Sequence, residues 1–241
     1  MRVEGFVIHL ARAEQRQPQV EKLRRDLTMP VHVVDAVDGS NLTQEQIDVV
    51  YGRKLHRPRY PFDLRVGEVG CFLSHRDAWR EIVRRDLDAG LIVEDDVEVD
   101  VGLLQQILDL HAGVFDPSDY LRLPRKSNEK GEAIAGAGNI TIFEPVVPGV
   151  GMQMQLVGRD AAAALLAETE RFDRPVDTTL QLRRNDIRLL SSRPVCISEI
   201  SARIGGSVIQ KKSKGLREII SREVKRALYR AKVRRSVTAS R

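Results

Sequence analysis

The chain has 241 residues, of which 42% are hydrophobic and 30% are charged, and its formal net charge is +5. This length suits one large domain or two small ones, and the apolar fraction excludes a wholly disordered chain. No apolar run approaches the ~20 residues of a membrane span, and we expect no signal peptide. Two cysteines, Cys71 and Cys196, are too few for a disulfide framework, so we expect a cytoplasmic, reducing setting.

The charge is distributed unevenly. Residues 211–241 contain 12 Lys or Arg and 2 Asp or Glu, a net +10, whereas residues 1–210 contain 27 and 32, a net −5. We therefore predict an acidic domain over residues 1–210 followed by a basic tail over residues 211–241. The isoelectric point of about 9.4 is typical of nucleic-acid binders, but this split disfavours that class.

Hydrophobic periodicity predicts alternating strands and helices. In chain order we predict a strand over residues 5–10, a helix over 12–27, a strand over 31–39, a short helix over 41–50 capped by Asn41 or Thr43, an irregular loop over 52–66, a helix over 66–86 and a strand over 91–99. There follow a helix over 103–110, a strand over 120–124, a polar loop over 127–138, paired strands around 140–143 and 152–157, a helix over 159–169 and a mixed segment over 173–210.

This alternation with short connections predicts an α/β fold with a mostly parallel sheet covered by helices. In such sheets, ligands bind beyond the carboxyl ends of the strands. The end of the strand that begins at Leu91 is therefore expected to lie in a binding crevice.

Three consecutive carboxylates, Glu94, Asp95 and Asp96, lie where that strand ends. Side chains alternate along a strand, so Glu94 and Asp96 are expected on one side and Asp95 on the other. Two neighbouring carboxylates repel each other unless a cation lies between them, and Mg²⁺ and Mn²⁺ prefer oxygen ligands. The pattern suits a metal that bridges to a diphosphate, and a solvated acidic turn is the equally weighted alternative.

A set of motifs resembles the family-25 glycosyltransferases, which include bacterial lipooligosaccharide galactosyltransferases and collagen galactosyltransferases. The most specific are GEVGCFLSH at residues 67–75, Trp79, and LIVEDDV at residues 91–97. Weaker matches are VIHLARAEQR at 7–16, VDAVDG at 34–39, RPVDTTL at 174–180 and SEISARIGGS at 198–207. The resemblance covers roughly residues 3–208.

The resemblance implies a GT-A type, Rossmann-like fold, a UDP-sugar donor and a divalent cation, Mn²⁺ or Mg²⁺. It also implies an inverting transfer of a hexose, with galactose favoured, to a hydroxyl group of a surface glycan such as the lipopolysaccharide core. The acidic triplet takes the place of the DxD motif of related glycosyltransferases.

Site residues follow from the resemblance. Asp96 and Glu94 are expected to hold the metal, and Asp177 is the candidate catalytic base, with an N-cap of the following segment as the equally weighted alternative. Glu94 is also placed among the catalytic residues. Contacts to the UDP-sugar donor are expected from Leu10, Arg12, Asp38, Glu68, His75 and Asp95.

Structural explanations remain open for several of these. His75 fits a buried core histidine, Glu68 fits a carboxylate at a helix N-terminus, and Asp38 fits an ordinary turn residue. Arg12 and Arg16 both suit a diphosphate but could be solvated helix charges, and we favour a functional role only for Arg12.

Two departures from the family pattern concern the donor. His9 stands where the family usually has Asn, and Gln153 and Gln155 stand where it more often has an aromatic strand. The donor sugar therefore stays open, with UDP-glucose or an N-acetylhexosamine donor as the alternative. A further hypothesis is that the chain is not an enzyme but a catalytically silent protein that binds membranes or nucleic acid.

The sequence of the tail, residues 211–241, predicts a basic amphipathic helix. Apolar residues recur at helical spacing at Leu216, Ile219, Ile220, Val224, Ala227, Leu228 and Ala231, after Lys211, Lys212 and Lys214. Such a helix can lie on an anionic membrane, which predicts a peripheral enzyme on the inner face of the cell membrane. A helix docked on its own domain is the alternative, and nucleic acid is disfavoured because no nucleic-acid module accompanies the helix.

Overall fold

The computed structural model describes residues 1–126, 128–182, 186–204, 206 and 216–239, with side chains in the last segment described for residues 223–235. The strands are β1 (Val3–His9), β2 (Val31–Asp35), β3 (Ala89–Glu94), β4 (Val97–Val99), β5 (Asp119–Arg122), β6 (Gly131–Ala137), β7 (Ile140–Pro145), β8 (Met154–Gly158), β9 (Arg188–Arg193) and β10 (Ile197–Glu199). The α-helices are α1 (Gln17–Asp26), α2 (Gln44–Val50), α3 (Val66–Arg84), α4 (Val101–Ala112), α5 (Arg159–Glu168), α6 (Val176–Thr179) and α7 (Leu216–Ala239).

Eight strands form the central sheet, in the order β2-β1-β3-β8-β5-β9-β7-β6. Strands β2, β1, β3, β5, β9 and β6 run in one direction, and β8 and β7 run against them. The predicted α/β class with a mostly parallel sheet is confirmed, and the architecture is Rossmann-like.

Both faces of the sheet are buried under helices. In β1, Phe6 and Ile8 pack with α3 and α5 on one face, and Val7 packs with α1 and α4 on the other. Successive side chains of a strand point to opposite faces of the sheet, so the residues of β1 contribute alternately to two separate apolar layers. Burial on both faces explains why β1 and β3 read as continuous apolar runs in the sequence.

Two glycines bring the N-terminus of α3 against the segment that follows β2. A Cβ atom at Gly70 would lie 2.5 Å from the carbonyl oxygen of Val37, and one at Gly39 would lie 2.0 Å from that of Val66. Real Cβ atoms do not approach this closely, so both positions require glycine. This contact brings the first turns of α3 beside the carboxyl ends of β1 and β2.

The acidic triplet lies at a break between two strands. The strand predicted over residues 91–99 is divided in the structure, because β3 ends at Glu94, Asp95 and Asp96 form a turn, and β4 begins at Val97. Strand β4 pairs with β10 in a separate two-stranded sheet. The amide of Ile200 donates to the carbonyl oxygen of Asp96 at 2.8 Å and holds the turn from the other side.

Two predictions in the second half of the chain are wrong. The predicted polar loop over residues 127–138 contains β6, a mostly exposed edge strand rich in Gly and Ala that pairs with β7. The strands near 140–143 and 152–157 exist but do not pair with each other. Strand β7 lies between β6 and β9, whereas β8 is inserted between β3 and β5, where its five residues are buried.

Of the two residues predicted as possible caps of α2, Asn41 and Thr43, it is Thr43 that caps the helix, through a capping box with Gln46.

Helix α7 packs on the domain through one face. Tyr229 and Val233 are buried and contact Tyr60 and Val147, so the docked alternative is observed for this face. The predicted apolar stripe is not that face, because Val224 and Leu228 are more than half exposed. Lys211, Lys212 and Lys214, and the side chains of Leu216, Ile219 and Ile220, lie outside the described residues. The domain boundary at residue 210 stays a prediction.

In the part of the chain that the structure covers, no helix combines the length and apolar character that a bilayer crossing requires.

Candidate active site

A cleft with a cavity volume of about 180 Å³ opens at the carboxyl ends of β1, β2 and β3 and along the start of α3. Most of the predicted site residues line it: Leu10, Arg12, Asp38, His75, Glu94, Asp95 and Asp96. Residues that are distant in sequence are therefore brought to one place by the topology, at the edge of the sheet where α/β folds bind ligands.

Asp95 is held by two buried basic side chains. Nδ1 of His9 donates to Asp95 Oδ2 at 2.7 Å, and Nη1 of Arg16 donates to Asp95 Oδ1 at 2.5 Å. All three side chains are at least nine-tenths buried. Both oxygens of Asp95 are thus engaged by the protein, which fixes the acidic turn in place; a donor contact from Asp95 stays a prediction.

Arg16 is the site residue that sequence reasoning undervalued. It is 5% exposed, so a solvated helix charge is the wrong interpretation, and its Nη2 also donates to the carbonyl oxygen of Gly206 at 2.7 Å. Arg16 lies in a 3₁₀ turn, Glu14–Arg16, before α1 begins. Helical periodicity therefore gives no information on the direction of its side chain.

Asp96 differs from Asp95 in having little support. Its Oδ2 lies 3.3 Å from Nη1 of Arg16, while its buried Oδ1 has no hydrogen-bond partner among the described residues. Burial and then the charge of Glu94 raise the pKa of Asp96 to about 6, against the opposing effect of Arg16. A proton and a cation therefore compete for this carboxylate near neutral pH.

Glu94 and Asp96 fit a hard divalent cation. Glu94 is a quarter exposed and faces the cleft, and the unpartnered Oδ1 of Asp96 supplies a buried oxygen that lacks a donor. Oxygen ligands of this kind suit Mn²⁺ and Mg²⁺, which fill the rest of their shell with water or phosphate. The metal assignment of these two residues stays a prediction that the side-chain chemistry supports.

His75 is both a core residue and a wall of the cleft. It is 1% exposed and packs near Trp79, with 6.4 Å between the ring centroids. Its Nε2 lies 3.5 Å from Glu94 Oε1, and its Nδ1 lies 3.3 Å from Gln155 Nε2. The buried amide at Gln155, where the family more often has an aromatic residue, thus serves to orient His75.

Arg12 and Asp38 form an ion pair at the mouth of the cleft. Nε of Arg12 donates to Asp38 Oδ2 at 2.5 Å, and the amide of Ser40 donates to Asp38 Oδ1 at 3.0 Å. The hydrogen bonds from Ser40 and then Arg12 lower the pKa of Asp38 to about 2. Asp38 is therefore a turn residue as well as a cleft residue. The Arg12 side chain is 56% exposed, so its pair is weak enough for a phosphate to compete for the guanidinium.

Glu68 and Asp177 are not among the residues that line the cleft, although the charges of both act on Cys71, which does line it. Glu68 accepts from the amide of Arg65 at 2.8 Å, which is the helix N-terminal role. Asp177 lies inside α6, which follows Pro175, so its N-cap alternative is wrong; its Oδ2 accepts from the amide of Gly151 at 3.0 Å.

The Cys71 thiol lines the cleft. Burial, and then the carboxylates of Glu94, Asp177, Glu68 and Asp96, raise its pKa.

Comparison with known proteins agrees with the motifs. Residues 3–180 match the sequence profile described as Glycosyltransferase family 25 (LPS biosynthesis protein). The chain is 32% identical over 189 residues to procollagen galactosyltransferase 1-B of Xenopus laevis, a match that covers 73% of this chain and 30% of that protein. It is 33% identical over 110 residues to the human procollagen galactosyltransferase 2, covering 44% of this chain and 18% of that protein.

Another relative is described as lacking activity. The "Probable inactive glycosyltransferase 25 family member 3" of Bos taurus is 35% identical over 138 residues, which cover 54% of this chain and 23% of that protein. In each of these relatives, the match to this chain spans less than a third of the relative's length.

Proposed function

The chain belongs to glycosyltransferase family 25, and on that premise we propose that it transfers galactose from UDP-galactose to a hydroxyl group of a surface glycan, with inversion at the sugar. The observation that carries the proposal is the placement of Glu94 and the unpartnered oxygen of Asp96 in a cleft that also contains Arg12. A nucleoside diphosphate needs both cationic groups and a cation site, and this cleft provides residues for each.

In the proposed reaction, Glu94 and Asp96 would hold Mn²⁺ or Mg²⁺. Such a cation, when bound, neutralises the charge that builds on the leaving diphosphate. In the proposed complex, the Arg12 guanidinium leaves its ion pair with Asp38 and binds a phosphate oxygen of the donor. Asp38 is then able to accept a hydrogen bond from the ribose or the uracil. Leu10, at the end of β1, gives the nucleotide an apolar contact in the cleft.

Asp177 is the proposed base. An inverting displacement needs a carboxylate that removes the proton from the acceptor hydroxyl as the new bond forms. Asp177 is half-buried, and its charge acts on the Cys71 thiol together with that of Glu94. Its hydrogen bond from the amide of Gly151 restrains the carboxylate. This arrangement supports an acceptor site between Asp177 and the acidic turn.

We expect UDP release from UDP-galactose when Mn²⁺ and a lipooligosaccharide core acceptor are present. Parallel reactions with UDP-glucose and UDP-N-acetylglucosamine test the alternative donors, because Gln153 and Gln155 replace an aromatic strand in this chain. Binding of each donor is measured at the same time by calorimetry. If no donor is bound or turned over, the chain resembles the inactive relatives and the proposal fails.

The basic helix supports a location on an anionic membrane surface at the cytoplasmic face. Besides exposed Val224 and Leu228, the described part of α7 exposes cationic side chains at Lys225, Arg226, Arg230, Lys232, Arg234 and Arg235. The face that carries Tyr229 holds the helix on the domain, so the remaining faces are able to contact lipid while the domain stays folded. A lipid-linked acceptor would then lie close to the enzyme.

Replacing Lys225, Arg230 and Lys232 with Gln is expected to weaken binding to vesicles rich in anionic lipid by about 100-fold. The reason is that each cation near such a surface contributes about 1 kcal/mol. Flotation at low and high salt measures the effect. A matched control replaces Arg24, Arg25 and Arg80 with Gln on α1 and α3 and removes the same charge from other surfaces. Equal loss in both variants would show a general charge effect and would contradict the assignment to α7.

A further inference from the structure

A second group of potential metal ligands lies in the wall of the cleft and contains a sulfur atom. Cys71 Sγ, a ring nitrogen of His75 and a carboxylate oxygen of Glu94 all lie within 4.8 Å of one another. Thiolate, imidazole and carboxylate together are typical of sites for Zn²⁺ and similar cations, whereas Mn²⁺ and Mg²⁺ favour oxygen alone. We propose that Cys71, His75 and Glu94 form a second binding site, which overlaps the oxygen site at Glu94, for a thiophilic divalent cation of the Zn²⁺ class.

The backbone holds the three ligands on rigid elements. Cys71 and His75 are four residues apart on α3, so their side chains leave the same face of the helix. Glu94 is the last residue of β3, on which α3 packs. Only small changes of side-chain rotamer are then needed to bring the three atoms to coordination distance.

Gln155 provides the support that a metal-bound histidine needs. Ligating histidines usually donate the hydrogen of their other ring nitrogen to a neighbouring acceptor. The Gln155 amide lies 3.3 Å from Nδ1 of His75, and a side-chain amide can present either its oxygen or its nitrogen. With the amide oxygen facing Nδ1–H, Nε2 of His75 carries the lone pair and points to Glu94, from which it is 3.5 Å away.

Charge and access also favour a cation here. Four carboxylates act on the Cys71 thiol, those of Glu94, Asp177, Glu68 and Asp96, and they create a negative potential around it. All three ligands line the cleft, so a fourth position is open to water or to a ligand. Binding releases the thiol proton to solvent, because the thiolate is the form that coordinates metal.

The site shares Glu94 with the oxygen site at Asp96 but does not depend on sugar transfer. Since one carboxylate cannot serve both positions fully, occupancy by Zn²⁺ is expected to oppose the use of Glu94 by Mn²⁺. The proposal rests on the geometry of the cleft, so a protein that turns over no nucleotide sugar would still bind the cation.

Titration of the metal-stripped full-length chain with Co²⁺ tests the site, because thiolate ligation of Co²⁺ produces a charge-transfer absorption in the near ultraviolet. We expect this absorption in the wild type and in Cys196→Ser, its loss in Cys71→Ser, and its removal by Zn²⁺ but not by Mn²⁺. Cys196 is the matched control because it is the only other cysteine in the sequence and is buried in the opposite apolar layer.

The reciprocal variants make the result decisive. If Cys71→Ser does not fold, Cys196→Ser still answers the question, because Cys71 is then the only thiol of the chain. Absence of the absorption in the wild type, or its retention in Cys71→Ser together with its loss in Cys196→Ser, would overturn the proposal. Failure of the donor screen with a clear Co²⁺–thiolate absorption would contradict the transferase proposal alone.

Discussion

Replacing Asp96 with Asn is expected to lower kcat/KM for sugar transfer by about a thousandfold, which corresponds to about 4 kcal/mol. The substitution keeps the shape of the side chain but removes one of the two negative charges that Glu94 and Asp96 offer to a cation. A cation that neutralises a diphosphate leaving group contributes several kcal/mol to the transition state. UDP release at saturating Mn²⁺ measures the loss.

Glu98→Gln is the matched control for this variant. Glu98 lies two residues further along the chain, on β4, and its 45% exposed side chain pairs with Lys22 and Arg203 instead of facing the cleft. We expect its activity to stay within about twofold of wild type, because exposed ion pairs contribute little. Activity of Asp96→Asn within tenfold of wild type would contradict the metal assignment.

The stability of Asp96→Asn separates a site effect from misfolding. The folded state raises the pKa of Asp96 from 3.8 to about 6, so it binds this proton more tightly than the unfolded chain does. Ionisation of Asp96 therefore destabilises the wild type as the pH rises through this interval, by about 3 kcal/mol at most. In EDTA at pH 7, we expect the Asn variant to be at least as stable as the wild type.

Replacing Arg16 with Met is expected to lower the free energy of unfolding by about 3–5 kcal/mol. Arg16 and Asp95 are both buried, and the loss of Arg16 leaves the buried charge of Asp95 with the hydrogen bond from His9 but without the guanidinium. The carbonyl oxygen of Gly206 would also lose its donor. Urea unfolding at neutral pH gives the free energy, and circular dichroism confirms the starting fold.

Two further variants locate the origin of that loss. Arg12→Met removes an arginine whose side chain is 56% exposed, and we expect a change of about 0–1 kcal/mol. In the double variant Arg16→Met/Asp95→Asn, the uncompensated charge is removed, so part of the lost stability is expected to return. A loss for Arg16→Met no larger than that for Arg12→Met would show that the buried pair is not important for stability.

The sequence was sufficient to predict the strands β1, β2 and β3 and a binding crevice at the end of β3. The continuous apolar run of Phe6, Val7 and Ile8 indicates burial on both faces of β1, and the carboxylates after Val93 mark the end of a central strand. Both are local signals, since an apolar run and the polarity at its end can be read within a few residues. The motif that contains Cys71 and His75 then indicates the family to which the chain belongs.

What the sequence could not provide depends on contacts between distant segments. The insertion of β8 between β3 and β5 is set by pairing in the sheet, and no local pattern encodes which strands become neighbours. Strand β6 consists mostly of exposed Gly and Ala residues and has no alternation of buried and exposed positions. Arg16 is fixed by partners 79 and 190 residues away, Asp95 and Gly206, so its burial has no sequence-local signal.

The contacts behind the acidic turn determine how short an autonomous fragment could be. The family profile ends at residue 180, yet Ile200 holds the backbone of Asp96 and Gly206 accepts from Arg16. A fragment that stops at residue 180 would keep every proposed catalytic carboxylate but would lose β9 from the middle of the sheet and the pairing of β4 with β10. A fragment that keeps these contacts of the acidic turn therefore extends as far as Gly206, 26 residues beyond the end of the family profile.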